Sequence, residues 1–385
     1  MATAGVTLSW TDRLLALRDR LLASPAFHRA ASGFVLTRPI AQRRAREVFD
    51  LVAGFVYSQV LTACVRLDLF GKLAKGPQRL STLAQQMALT PDAAERLLAA
   101  AQSLKLVEKR GKDAAGEQRW GLGVLGAPLV DNQAVLAMVE HHATLYADLA
   151  DPVALLRGSG PPPALSGYYP YTAEDATTEA SGLAPEKVAS YSQLMSASQP
   201  LVAAEILDAF DLSPFRSLLD VGGGEGRFLT SVAARAPHLS LTLFDLPAVA
   251  ERARARFASA RIADRATAVG GNFLADSLPS GADIASLVRV IHDHDDARAL
   301  TILQSVRRAL PKGGTLILAE PMSGTPGAEA MGDAYFGFYL LAMGRGQPRT
   351  ADQLTALLHA AGFGSVRLLP TRIPLQVRML VAQVV

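Results

Sequence analysis

The sequence predicts an α/β chain: a doubly wound parallel sheet in the C-terminal half, behind a mainly helical N-terminal domain with a winged-helix pattern. Three observations predict it. Short apolar runs at 217–221, 240–245, 266–270, 283–290 and 314–320 alternate with helical stretches, the alternation that builds parallel strands joined by crossover helices. The first run leads into Gly222-Gly-Gly-Glu-Gly226, a turn almost free of side chains, and then a helix that Pro237 ends. Upstream, Leu80–Leu104 carries two amphipathic stretches around Thr90-Pro91. The segments Leu106–Lys112 and Arg119–Leu122 follow as a wing around a glycine turn.

A length of 385 residues suits two or three domains. The order of elements divides them into a basic arm (1–45), a winged-helix-like helical domain (46–200) and the sheet domain (201–385). With 50% hydrophobic and 19% charged residues, the composition excludes a disordered chain. A net charge of +3 does not by itself imply nucleic acid. The single cysteine, Cys64, excludes a disulfide framework or a cysteine metal cluster, and its apolar helical setting makes it a core residue. The N-terminal stretch 11–22 is too charged for a signal peptide. No window of about 20 uninterrupted apolar residues suggests a membrane span. The expected location is cytoplasmic.

In the arm, Leu14, Leu15, Leu17, Leu21 and Leu22 have helical spacing, and seven arginines outnumber Asp12 and Asp19. A solvated helix face explains this pattern; contact with anionic lipid is the sharper reading. A broad apolar helix follows, from Val48 to Val65. In the helix-turn-helix, Ser81 and Thr90 are candidate N-caps, with Pro91 at the first position of the second helix. A winged helix can read DNA, which makes a DNA-binding regulator the rival function. Its second helix, however, offers Arg96 beside Asp92 and Glu95, too little positive charge for phosphate contacts. No nucleic-acid partner is therefore expected, and dimerisation is the better reading. His141-His142 lacks other ligands at metal spacing and is ordinary polar surface or core. Gly158–Pro163 and the loop 165–184 mark a boundary, and a helix from Tyr191 to Phe210 leads into the sheet.

Ligands of an open parallel sheet bind beyond the carboxyl ends of its strands. Five strand ends there carry chemistry. Asp220, Gly222 and Gly224 bring backbone N–H groups to a ligand, but the third glycine of a dinucleotide fingerprint would fall on Arg227. Asp245 ends the second strand, where a carboxylate accepts hydrogen bonds from ribose hydroxyls; capping the helix at Pro247 is its plain alternative. Asn272 suits an adenine edge and Phe273 its face. Arg289 opens the Arg289-Val-Ile-His-Asp-His-Asp-Asp296 run, in which His292 is placed to accept a proton near neutral pH. A helix cap, or a metal site shared with His294, are the other readings of that run. Glu320 ends the next strand, where it can orient the imidazole. Beyond it Met331, Tyr335, Phe336, Tyr339 and Met343 crowd one helix as a candidate substrate wall, the bland reading being core or dimer interface.

Taken in order, Leu218–Gly226, Phe244–Pro247, Gly271–Phe273, Val290–Asp296, Leu318–Pro321 and Pro348–Thr350 resemble the plant caffeate-type and bacterial O-methyltransferase family over roughly residues 46–385. The resemblance implies a Rossmann-like class I methyltransferase sheet, a homodimer built on the winged-helix domain, and S-adenosylmethionine held at Gly222, Gly224, Asp245, Asn272 and Phe273. It makes His292 the general base and requires no metal. Three positions depart from the family pattern: Asn272 stands where Asp is usual, His294 where Trp is frequent, and Pro348 near a second carboxylate of the plant enzymes. The arm, Phe34–Pro39 and Met343–Thr350 are most similar to the carotenoid-modifying members of purple bacteria, implying a long, apolar, hydroxylated acceptor. Phenolic, polyketide or bacteriochlorophyll-type acceptors are the alternative.

Overall fold

The computed structural model describes residues 9–166 and 199–385. The expected loop from 167 onward and the start of the helix expected at Tyr191 lie outside the described residues. Two compact units divide the chain, residues 1–130 and 131–385.

The first unit opens with α1 (Trp10–Leu22), α2 (Pro25–Gly33) and α3 (Arg38–Arg66). The winged helix follows: α4 (Leu69–Ala74), β1 (Gln78–Arg79), α5 (Leu80–Gln86), α6 (Pro91–Ser103), β2 (Val107–Lys112) and β3 (Gln118–Leu122). The three strands form one sheet in the order β1-β3-β2. Thr90 caps α6 by accepting from Ala93 N–H, and Pro91 needs no such partner. Ser81 does not cap α5. It lies inside that helix, and its own N–H is satisfied from the wing by Glu117 Oε1 at 2.8 Å. Cys64, Leu69, Phe70, Leu83, Leu98 and Trp120 make the core.

Among the described residues one helix is long and apolar enough to cross a membrane by length and composition, where the sequence predicts none: α3, at 29 residues, with 11% of its apolar stretch buried. Asp50, Ser58, Gln59 and Thr62 interrupt its run, so no unbroken apolar stretch marks it in the sequence. Its C-terminal part packs on the winged-helix core through Val60, Leu61, Cys64 and Val65, while Leu51, Val52 and Phe55 remain exposed. That division, one end in a core and one face bare, fits a helix awaiting a protein partner.

The second unit carries α7 (Gln133–Asp148), α8 (Pro152–Arg157) and a helix α9 over 199–209. Then come β4 (Ser217–Val221), α10 (Arg227–Arg235), β5 (Ser240–Asp245), α11 (Pro247–Ser259), β6 (Ala266–Gly270) and β7 (Ile284–Val288). The chain finishes with α12 (Asp296–Ala309), β8 (Thr315–Glu320), α13 (Phe336–Met343), α14 (Ala351–Ala360), β9 (Phe363–Leu369) and β10 (Arg378–Val384). The sheet order is β6-β5-β4-β7-β8-β10-β9, parallel from β6 to β8, with β10 antiparallel to both neighbours.

Helices cover both faces, so alternate residues of each central strand enter different cores. Leu218, Ile284, Val288 and Ile317 face one; Leu219, Val221, Leu287 and Leu318 face the other. Burial on both sides explains why these strands read as unbroken apolar runs. Strand order reverses direction at β4, between β5 and β7. A crevice opens beyond the carboxyl ends at such a switch point. Asp220, Asp245, Arg289, His292 and Glu320 all lie at or just past those ends.

Candidate active site

The turn after β4 is held open for a ligand by backbone geometry. Gly222 and Gly224 adopt left-handed conformations with φ of 70° and 59°, where a side chain costs about 1–2 kcal/mol. Asp245 is half-buried and spends both oxygens on the backbone: Oδ2 accepts from Gly224 N–H at 2.8 Å and Oδ1 from Leu246 N–H at 2.7 Å. The carboxylate thus ties the glycine turn to the end of β5 and also closes its own helix entry. Burial raises its pKa to about 6 despite those two donors.

Asp220 is buried alongside. Its Oδ1 accepts from the Ser286 hydroxyl at 2.6 Å, while Oδ2 has no hydrogen-bond partner. Burial first, and then the charge of Asp245, push its pKa up to about 7. Two neighbouring acids, one half-buried and one fully buried with a bare oxygen, favour a ligand that brings hydrogen-bond donors and positive charge. S-adenosylmethionine has both, in its ribose hydroxyls, ammonium and sulfonium, so these residues fit it.

Asn272 and Phe273 follow β6. Asn272 Oδ1 accepts from Leu274 N–H at 2.9 Å, so its side chain folds a turn, and Asp276 Oδ2 accepts from Asn272 N–H. Phe273 meets the buried His294 ring edge-on at 5.6 Å between centroids. Burial lowers the pKa of His294, so that ring is neutral.

Between β7 and α12 the chain must turn sharply, and Arg289 takes a left-handed φ of 58° to do so. Such strain persists where surrounding structure enforces it. Here the enforcement comes from β8: Arg289 N–H donates to Ala319 O, and Glu320 Oε1 accepts from Val290 N–H (3.0 Å) and Ile291 N–H (2.7 Å). The other Glu320 oxygen reaches the catalytic candidate. His292 Nδ1 lies 2.9 Å from Glu320 Oε2, at ion-pair distance though not in full hydrogen-bond alignment. His292 Nε2 lies 3.0 Å from Asp293 Oδ1. Burial opposes charge on the ring, but the carboxylates of Glu320 and Asp293 outweigh it and raise the pKa to about 10. At neutral pH the resting ring is an imidazolium between two carboxylates.

Arg349 locks this turn from the far side, and sequence reading assigned it no role. Its side chain is 3% exposed. Nη1 donates to Ile291 O at 3.0 Å, Nη2 to His294 O at 2.7 Å and Nε to Asp296 Oδ1 at 2.8 Å. Gln347 N–H donates to His292 O. A Cβ on Gly346 would fall 2.6 Å from that same oxygen, so only glycine lets this strap lie against the His292 turn. The Arg-Thr pair after a glycine-rich stretch was a visible signal; its target was not.

Residues 330–335 form a π-helical turn that runs into α13 and sets the candidate wall. Phe336 stacks on His292 with centroids 5.9 Å apart. Tyr335 and Phe336 are half-buried, Met331 lies one turn earlier, and Tyr339 and Met343 are buried with Leu145, Leu165 and Leu340. Tyr339 and Met343 therefore belong to a packing core, while Tyr335 and Phe336 form its edge beside the histidine. His141 and His142 on α7 brace that edge: His141 Nε2 is 2.8 Å from the Tyr339 hydroxyl and His142 Nε2 2.9 Å from that of Tyr335. Burial pushes His141 down to about 4 and lowers His142 as well, so both rings are neutral. Among the described residues no group of three or more His, Cys, Asp or Glu is disposed to hold a metal ion.

Comparison with known proteins adds three findings. A family model described as an O-methyltransferase domain matches residues 146–364, and one described as an O-methyltransferase dimerisation domain matches 49–131. Demethylspheroidene O-methyltransferases are similar in sequence. The one from Cereibacter sphaeroides is 43% identical over 91% of this chain and 90% of its own length, and the one from Rhodobacter capsulatus 39% over 90% and 84%. A methyltransferase in calicheamicin biosynthesis, solved in its SAH-bound form, superposes with a TM-score of 0.71 at 25% identity, over 89% of this chain and 99% of that one.

Proposed function

Since this chain belongs to the S-adenosylmethionine-dependent O-methyltransferase family, we propose that it methylates the tertiary hydroxyl of a hydroxy-carotenoid, of the hydroxyneurosporene or demethylspheroidene type. The observation that carries the reading is the stacking of Phe336 on His292: a proton-handling group set directly against an apolar wall suits a long hydrocarbon with one hydroxyl. The 43% identity to a demethylspheroidene enzyme supports the same acceptor.

When bound, S-adenosylmethionine supplies a methyl group already activated on a sulfonium. Asp220, Asp245 and the backbone at Gly222 and Gly224 hold it, with Phe273, Asn272 and Arg289 around them. The wall of Tyr335 and Phe336, continued towards Met331 and backed by Tyr339 and Met343, aligns the acceptor. Such positioning lowers a barrier by on the order of 7–11 kcal/mol, against about 3–5 kcal/mol from a placed base. A tertiary alcohol is too weak an acid to ionise beforehand, so its proton leaves as the new C–O bond forms. His292 is the base, and Glu320 and Asp293 stabilise the imidazolium that results. Because both carboxylates already favour that charged form, the active, neutral ring grows in population as pH rises.

A second copy of the chain covers the bare face of α3 (Leu51, Val52, Phe55), within the matched dimerisation domain. An acceptor of this kind resides in lipid, which places the protein at the cytoplasmic surface of a membrane.

Incubation with methyl-labelled S-adenosylmethionine and a detergent-dispersed tertiary hydroxy-carotenoid tests the reading. The expected product is the tertiary methyl ether, identified by mass. A labelled carbon skeleton, or no labelled carotenoid from a protein that binds the cofactor, would overturn it.

A further inference from the structure

Among the described residues, the N-terminal arm presents an apolar helix face that stays exposed. No residue of α1 is buried. Trp10, Leu14, Leu17 and Leu21 recur at i, i+4, i+7 and i+11, a single line along the helix, with exposures of 73%, 56%, 54% and 46%. Leu15 and Leu22 widen the apolar face on one flank, beside Arg18, and Arg13 and Arg20 border the other. The two acids of the helix point away from this face. Asp12 is engaged with Ser9 in the N-terminal cap, and Asp19 pairs with Arg18. At the corner after α2, Phe34, Val35 and Leu36 expose three more large side chains at 58%, 72% and 75%. Between residues 9 and 47, eight arginines stand against three carboxylates, with no lysine.

We propose that this arm docks on an anionic bilayer, with α1 lying in the interface plane. An apolar stripe bordered by arginines and led by a tryptophan is the pattern of a helix that sinks one face to the headgroup boundary and keeps its cations among the phosphates. The net positive charge selects anionic over zwitterionic headgroups. A second copy of the chain is the other occupant such a face could have. The matched dimerisation domain begins at residue 49, and α1 lies wholly upstream of it. A second copy carrying the same arginines would also meet like charge. The inference rests on this face and not on the identity of the acceptor, and it holds whichever hydroxyl is methylated.

Flotation of the full chain with phosphatidylcholine vesicles, with and without phosphatidylglycerol, tests it in the absence of any acceptor. Trp120 is buried at 3% exposure and Trp10 is open, so a blue shift of tryptophan emission on adding vesicles reports α1. Flotation and the blue shift are expected only with phosphatidylglycerol, weakening as salt rises. The triple variant Arg13→Glu, Arg18→Glu, Arg20→Glu should bind at least tenfold more weakly, and Leu14→Ser with Leu17→Ser should abolish the blue shift. Both should keep cofactor affinity and sedimentation as dimer. Equal binding to neutral vesicles, or full binding by both variants, contradicts the proposal. So does loss of the dimer in the variants without any vesicle binding by the parent, which would assign the face to a second copy.

Discussion

Carboxylates at both ring nitrogens favour the protonated form of His292, and this decides how the proposed base should respond to pH. With the ring held up to about 10, kcat/KM should climb from neutral pH toward the alkaline side. Glu320→Gln removes one of the two charges holding it there, so the rising limb should move to lower pH, and the ring resonances followed by NMR should titrate lower. An unmoved limb would exclude Glu320 as the partner that sets the base. Stability follows the same linkage. A raised folded pKa stabilises fully below the ordinary value of 6.5 and loses that contribution as pH rises through about 10. Glu320→Gln should therefore cost about 3–5 kcal/mol at pH 6, as expected for breaking a buried pair, and much less above pH 10. The two acids proposed to hold the cofactor work in the opposite sense. Asp245 and Asp220, raised to about 6 and about 7, charge only as pH rises through those values, so S-adenosylmethionine affinity by calorimetry should strengthen from pH 5 to 8. Asp245→Asn should flatten that rise; an unchanged pH dependence would contradict the assignment. His292, Glu320, Asp220 and Asp245 drew attention because each lies at or just past the end of a strand whose apolar run can be seen. Asp293 was not, since a side chain that folds back on its neighbour's ring leaves no periodic mark. Asn272 was legible as a loop residue, but its turn-forming bond to Leu274 N–H depends on local backbone that spacing does not specify.

At the scale of elements, the turn that carries His292 is a short irregular piece pinned between β8 and the strap ahead of α14. Buried Arg349 holds two carbonyls and a carboxylate at once, a fork that lysine cannot reproduce. Arg349→Lys should lower kcat up to about 100-fold by letting His292 shift, with cofactor affinity nearly unchanged. An equal fall in both would mean that the strap supports the whole fold and not the base. The strands themselves were readable to within one or two residues, because burial on both faces leaves only apolar choices and glycine marks their ends. The cap at Thr90 was readable for the same local reason, Pro91 following it. The failed cap at Ser81 shows the limit: Ser81 sits in the first turn, and its own N–H is served by Glu117, 36 residues away, which no local pattern encodes. The π-helical turn at 330–335 was equally hidden, for it inserts a residue into a helix without altering the apolar run that announces it.

Across the molecule, a candidate site assembled from five strand ends, a strap and a helix edge is joined in one chain to a winged-helix unit with a bare apolar helix face and an arginine-bordered arm. The order of motifs made the sheet and its cofactor legible. The braces behind the wall, His141 and His142, were passed over because a histidine pair on a helix looks the same whether it meets solvent or two tyrosines. The central claim is that this site takes an apolar alcohol and not a phenol, and the ratio of kcat/KM for a tertiary hydroxy-carotenoid to that for a simple catechol tests it most directly. The account predicts a ratio of at least about 100, reflecting a wall that a small ring cannot fill and a base strong enough for an unionised hydroxyl. A ratio below one would contradict it, returning the protein to the phenolic members of its family and leaving the wall as packing alone.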